Sequence, residues 1–179
     1  MQLKSLTVFC GSKSGSNALF VQQAIALGEL LARKNIDLVY GGGNKGLMGA
    51  LANACLAMGG KVIGIIPKIL LQWEAQHTSL TELIITEDMH ERKKMLYEKG
   101  EAGLVLPGGM GTLDELFEML TWNNLKIHNK KVFILNIEGY YDALILLLNE
   151  MDKEGFMYDE WRDRIIVCPS LEALEAHLK

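Results

Sequence analysis

Apolar positions along this chain follow two spacings that take turns. Short, nearly continuous apolar runs occupy Leu6–Cys10, Leu38–Tyr40, Lys61–Ile66, Leu83–Thr86, Ala102–Leu106, Val132–Asn136 and Ile165–Val167. Each has the length of a buried strand. Between them lie segments with apolar residues three and four apart, the spacing of helices: Asn17–Lys34, Gly46–Met58, Met89–Lys99, Thr112–Asn124, Tyr140–Lys153 and Leu171–Leu178. Phe20, Ala24, Leu27 and Leu31 give the first of these a single apolar face. Gly46–Met58 is rich in small residues, which lets a helix pack closely on a sheet. Pro67 stops the third strand, and residues 67–82 are the least regular stretch.

Buried strands joined by helical crossovers predict a parallel sheet covered on both faces. The expected fold class is therefore α/β: a doubly wound, mainly parallel, Rossmann-like sheet with helices on both faces. No repeat, low-complexity tract or linker divides residues 1–179, so a single domain is expected. Sheets of this kind bind ligands at the carboxyl ends of their strands.

Composition narrows the function classes. The chain has 179 residues, 49% hydrophobic and 22% charged, enough for a sizeable core. Its net charge of −4 disfavours bulk nucleic-acid binding, which needs a basic face. Cys10, Cys55 and Cys168 are odd in number and sit in apolar stretches, so buried free thiols are expected rather than a disulfide or metal site. The first residues lead into a short strand, with no signal-peptide pattern, and no apolar run is long enough to span a bilayer. A cytoplasmic protein with no membrane partner is the expectation.

The chemistry gathers where strands end. Pro107-Gly108-Gly109-Met110-Gly111-Thr112 follows the strand Ala102–Leu106 and opens a helix. Such a turn aims backbone N–H groups and a positive dipole end at one point, which suits a phosphate. Glu115 lies one turn into that helix. Thr112-x-x-Glu115 also has the form of a capping box, in which the pair would only close the helix end. Leu113, Leu116, Phe117 and Leu120 mark the buried face of the helix. Glu115 lies off that face, toward the opening of the turn.

A second glycine turn, Gly41-x-Gly43-x-x-Gly46, has the form of a dinucleotide fingerprint. The acidic residue expected about 20 positions later is missing from Gly59–Gly64, so a nicotinamide cofactor is not indicated. The turn serves either close backbone approach to a nucleotide or tight helix–sheet packing. Neither glycine turn is a Walker loop. Met89-His90-Glu91-Arg92-Lys93-Lys94 starts a helix at another strand end. Its cations either face solvent or pair with phosphate and carboxylate. The histidines lack metal-site spacing.

Taken together, Gly41-Gly42-Gly43-x-x-Gly46-Leu47-Met48-Gly49, Met89-His90-Glu91-Arg92-Lys93 and Pro107-Gly108-Gly109-x-Gly111-Thr112-x-x-Glu115 resemble the three signature segments of the LOG ("Lonely guy") family. Trp122, Ile127-His128, Gly139-Tyr140-Tyr141 and Glu154-Gly155-Phe156 resemble its later segments, and the likeness spans nearly the whole chain. The family is known as cytokinin riboside 5′-monophosphate phosphoribohydrolases. Members were often labelled lysine decarboxylases, but nothing here marks a lysine that would carry pyridoxal phosphate.

The resemblance implies hydrolysis of the N-glycosidic bond of a purine nucleoside 5′-monophosphate, giving free base and ribose 5-phosphate. It implies Glu115 and Arg92 as the catalytic pair, with Lys93 beside them in the substrate site. Gly108, Gly109, Gly111 and Thr112 would hold the 5′-phosphate. Gly11, Ser12, Gly42 and Gly43 would line the same edge, and Met89 would pack on the base. No metal or redox cofactor is implied. A homodimer is, and two stretches with many large apolar residues, Ile65–Trp73 and Leu113–Trp122, agree with it. A non-catalytic module that binds AMP-like nucleotides stays open as an alternative, although it would not need both Glu115 and Arg92. So does a related hydrolase acting on another phosphoribosyl compound.

Overall fold

Strand and helix alternate because the inner strands are buried on both faces. In the computed structural model, residues 3–72 and 76–178 are described. The strands are β1 (Ser5–Phe9), β2 (Asp37–Tyr40), β3 (Val62–Pro67), β4 (Glu82–Thr86), β5 (Ala102–Val105), β6 (Val132–Leu135) and β7 (Ile165–Cys168). The helices are α1 (Ala18–Arg33), α2 (Gly46–Ala57), α3 (Met89–Lys99), α4 (Met110–Asn124), α5 (Asp142–Lys153) and α6 (Leu171–Glu175). The sheet has seven strands in the order β4-β3-β2-β1-β5-β6-β7. Every pairing between neighbours is parallel.

The period-two pleat sorts side chains to two cores. Leu6, Val8, Leu38, Tyr40, Leu104 and Leu135 pack under α1, α2 and α6. Phe9, Val39, Val105, Val132 and Ile134 pack under α3, α4 and α5. The doubly wound α/β reading therefore holds, with a sheet that is wholly parallel among the described residues. Cys10, Cys55 and Cys168 are buried and free.

Element ends moved by one or two residues in most places, and three differences matter. The stretch read as irregular contains a 3₁₀ turn at Lys68–Gln72. The helix expected from Tyr140 starts at Asp142, after a 3₁₀ turn at Ile137–Gly139 in which Glu138 has φ 52°. The helix expected from Thr112 begins at Met110, with Gly109 as its N-cap. Thr112 is thus inside the first turn rather than at the cap. No helix among the described residues is long and apolar enough to cross a membrane.

Candidate active site

Chain order reverses between β1 and β5, which are hydrogen-bonded neighbours. From β1 the chain winds one way through β2, β3 and β4; from β5 it winds the other way through β6 and β7. The loops leaving these two strands separate to opposite faces, and a crevice opens between their carboxyl ends. The two loops are Cys10–Gly15 and Leu106–Gly109.

The crevice floor is knitted from backbone. The Gly11 N–H donates to the Pro107 carbonyl at 3.0 Å, and the Leu47 N–H donates to the Gly11 carbonyl at 3.1 Å. Gly46 has φ 59°, and a Cβ there would lie 2.4 Å from the Ser12 carbonyl carbon. Both the left-handed backbone and the close approach require glycine. The result is a cavity of about 570 Å³, within the ordinary range for small-molecule sites of roughly 300–1,000 Å³.

The N-termini of α3 and α4 both face this region, and they differ. At α3 the Asp88 side chain accepts from the Glu91 N–H at 2.9 Å, and the Glu91 carboxylate accepts from the Glu87 N–H at 2.7 Å. That end is closed by its own side chains. At α4 the cap is Gly109, which has no side chain to offer the first N–H groups. The first N–H groups of a helix have no partner inside the helix, so those of α4 face the cavity with the positive end of the dipole. The capping box read at Thr112 and Glu115 is therefore not formed.

Glu115 comes into the cavity from α4 and Arg92 from α3. Arg92 Nη1 lies 3.1 Å from Glu115 Oε1. The two residues are only 7% and 8% exposed. Arg92 Nε also donates to the Ile65 carbonyl at 3.1 Å, which fixes the plane of the guanidinium. The buried face of α4 is Thr112, Glu115, Leu116, Met119 and Asn123. The expectation that Glu115 stands off the buried face is thus corrected. Leu113, Phe117 and Leu120 are only partly buried.

Behind the pair, α3 and α4 are joined again. The Tyr97 hydroxyl lies 3.0 Å from Glu118 Oε2 and 3.3 Å from the Glu115 carbonyl. Burial first, and then the Glu118 charge, push the Tyr97 phenol well above its usual range, so it stays a donor. Cys10 lines the cavity. Burial, helped by the Glu115 carboxylate, raises its thiol far above the ordinary value, so it carries no charge.

Of the residues expected at the site, Gly11, Ser12, Met89, Arg92, Gly108, Gly109, Gly111, Thr112 and Glu115 line this one cavity. Gly42, Gly43 and Lys93 do not. Gly42 and Gly43 are packed against neighbouring chain. A Cβ on Gly42 would lie 3.2 Å from the Ile66 Cβ, and the Gly42 carbonyl accepts from the His77 N–H at 3.0 Å. The Gly43 carbonyl accepts from the Tyr40 hydroxyl. Gly41, one residue earlier, reaches the cavity instead. Lys93 turns away to Glu118 at 2.6 Å and Asp114 at 3.2 Å.

The cavity also contains residues that motif reading passed over. Tyr140 donates its hydroxyl to the Gly108 carbonyl at 2.7 Å. Its ring meets Phe20 edge to face, with centroids 5.4 Å apart. Lys13 and Ser14 continue the β1 loop along the wall. Gly139-Tyr140-Tyr141 resembles a family segment, but the partner of the Tyr140 hydroxyl lies 32 residues away and gives no local signal.

The chain is similar to known proteins along nearly its whole length. A family model described as "Possible lysine decarboxylase" matches residues 48–178. A cytokinin riboside 5′-monophosphate phosphoribohydrolase of Rhodococcoides fascians is 45% identical over 98% of this chain and 89% of its own length. The chain belongs to the LOG family. Another such phosphoribohydrolase, from Arabidopsis thaliana, is 42% identical over 99% of this chain and 84% of its own length. Among solved structures, the molybdenum cofactor binding protein of Rippkaea orientalis is similar with TM-score 0.75 at 18% identity, covering 99% of this chain and 96% of that one. The molybdenum cofactor carrier protein of Chlamydomonas reinhardtii is similar with TM-score 0.74 at 18% identity, covering 98% and 95%. At that identity the likeness is one of fold. Within the LOG family frame, the cavity offers an anion cradle and a carboxylate–guanidinium pair side by side.

Proposed function

We propose that this LOG-family chain hydrolyses the N-glycosidic bond of purine nucleoside 5′-monophosphates, cytokinin nucleotides or AMP, giving free base and ribose 5-phosphate. The observation that carries this reading is the buried Arg92–Glu115 pair beside the uncapped N-terminus of α4. Relatives named for this activity over nearly their whole length support it.

The chemistry follows from the charges. Breaking the glycosidic bond builds positive charge at ribose C1′, as in other glycosyl transfers. The Glu115 carboxylate stabilises that charge and orients the attacking water. Water adds its hydroxyl to C1′ and its proton goes to the departing base, so nucleotide and water become base and ribose 5-phosphate. Arg92 fixes the carboxylate at 3.1 Å through a charge-assisted contact. The 5′-phosphate sits on the N–H groups of Gly109–Thr112, and Met89 packs on the base. A module that only binds nucleotide has no use for a buried carboxylate held by an arginine, so the catalytic reading is favoured.

The working unit in this proposal is a cytoplasmic homodimer. Within Leu113–Trp122 the large apolar side chains are all at least partly buried, and Trp73 lies outside the described residues. Support comes from Ile69, exposed within Ile65–Trp73, and from exposed Met110, Leu125 and Ile127 near the two ends of α4.

The decisive experiment incubates the protein with AMP, isopentenyladenosine monophosphate and the matching nucleosides, with products identified by chromatography. Free base and ribose 5-phosphate from the monophosphates are expected. Equal efficiency on nucleotide and nucleoside would overturn the phosphate assignment. Absence of free base from every substrate would overturn the activity.

A further inference from the structure

The charges that line the cavity are few. Among the described residues they are Lys13, Arg92 and Glu115. Arg92 and Glu115 are bound to each other and sum to zero. Lys13 forms no ion pair with any described residue and is exposed at the cavity wall. The net positive charge of the cavity therefore rests on Lys13. A phosphate monoester carries about −1.5 to −2 at neutral pH. Helix N–H groups supply donors and about half a unit of positive charge. They leave most of the phosphate charge unbalanced.

The backbone under Lys13 is held firmly at the right place. The Ser12–Lys13 peptide is pressed by Gly46, where a Cβ would lie 2.5 Å from the Lys13 nitrogen. Gly11, two residues before Lys13, donates to the Pro107 carbonyl, and a Cβ on it would lie 3.5 Å from the Gly108 Cα. The β1 loop and the glycine turn of α4 are thus in contact, and Lys13 lines the same cavity as Gly109–Thr112. We infer that Lys13 is a substrate-binding residue whose ammonium closes over the phosphate held at Gly109–Thr112, making the site selective for a phosphorylated ribose. This rests on the nucleotide reading above for the identity of the ligand. Its chemical content, an anionic phosphate monoester between a lysine and a helix N-terminus, is separate.

The test uses ribose 5-phosphate and inorganic phosphate as probes, titrated calorimetrically into wild type, Lys13→Met and Lys13→Arg at low and moderate salt. Lys13 is exposed, so both variants are expected to melt with the wild type. Lys13→Met is expected to weaken ribose 5-phosphate binding by roughly tenfold, as one charge-assisted contact at a partly solvated site would. The variant should also show a shallower loss of affinity with salt. Lys13→Arg is expected to stay within about threefold of wild type, because the charge is kept. Equal affinity for wild type and Lys13→Met, or loss in Lys13→Arg equal to that in Lys13→Met, would overturn the inference. Lys13-dependent binding of ribose 5-phosphate without release of base from any nucleotide would sustain the inference and sink the hydrolase reading. Failure of the wild type to bind either probe would overturn the inference.

Discussion

Gly41 and Arg92 are packed so closely that a side chain on the glycine would collide with the guanidinium. A Cβ on Gly41 would lie 2.4 Å from Arg92 Nη2 and 3.1 Å from Met48 Sδ. Gly41→Ala must therefore displace the guanidinium. The obstructing atom is the tip of a flexible side chain, so the fold should survive with a loss of about 1–3 kcal/mol from overpacking. Turnover should fall more sharply, by roughly a hundredfold, because misplacement by an ångström is costly in a positioned site. Full activity in a folded Gly41→Ala protein would mean that the position of Arg92 is not required.

Glu115→Gln separates charge from hydrogen bonding. The amide oxygen still accepts from Arg92 Nη1, but the pair is buried and Gln carries no charge to match the guanidinium. Stability should drop measurably, by less than the roughly 3–5 kcal/mol expected when one partner of a buried pair is removed outright. Turnover of nucleotide should fall by about 10²–10³-fold, the scale for losing one electrostatic stabiliser. Arg92→Ala and Glu115→Ala together should cost less stability than the sum of the two alone, since the charges compensate each other. Thermal melts and single-turnover assays check this. Wild-type turnover by folded Glu115→Gln would exclude the proposed mechanism.

Tyr140→Phe removes the hydroxyl that holds the Gly108 carbonyl at 2.7 Å while keeping the contact with Phe20. The turn before α4 loses one hydrogen bond, worth about 0.5–1.5 kcal/mol. Nucleotide affinity should weaken by roughly two- to tenfold with little change in melting temperature. A purely surface role predicts no change in either quantity.

Acid should destabilise the fold partly through His77. It is 3% exposed, its Nδ1 accepts from the Ser79 N–H, and its Nε2 faces Asn53 Oδ1 at 3.0 Å. That arrangement uses the neutral ring, and burial lowers its pKa below the ordinary 6.5. The unfolded chain then binds the proton more readily than the folded one. The contribution is complete above about 6.5 and is lost as pH falls through the lowered value. His128 acts in the same direction, through burial and the Lys130 charge. Urea melts from pH 7.5 to 5 should show falling stability, and the fall should be smaller in His77→Gln. An identical slope in that variant would rule His77 out as a contributor.

Oligomeric state is directly measurable. Sedimentation should give about twice the 19.9 kDa chain mass. Charged substitutions at exposed Leu125 and Ile127 should shift the mass toward the monomer. A fully active monomer at micromolar concentration would rule the dimer out.

The boundary between what was legible in the sequence and what was not follows the range of the interactions. Strand runs such as Ala102–Val105 and the glycine turn after them are written in consecutive residues, because burial on both faces and the needs of a tight turn are local properties. The α/β class and the strand–turn–helix at Pro107 were readable for that reason. The start of α4 was not. Thr112-x-x-Glu115 satisfies a local capping rule, but in the fold Glu115 is drawn to Arg92, a residue 23 positions earlier on α3, and the cap falls to Gly109.

Gly42 and Lys93 show the same limit. The first has the residue type for phosphate contact, yet it is taken up by Ile65, Ile66 and His77. The second has the charge for it, yet Glu118 and Asp114 lie closer. By itself, the sequence determined the alternation of elements, the positions of the turns and the residue types able to bind an anion and stabilise a cation. Only the tertiary structure decided which of those residues share a cavity. Strand order places β1 beside β5, and that single long-range pairing brings Gly11, Lys13, Gly108 and Glu115 together while turning Lys93 away.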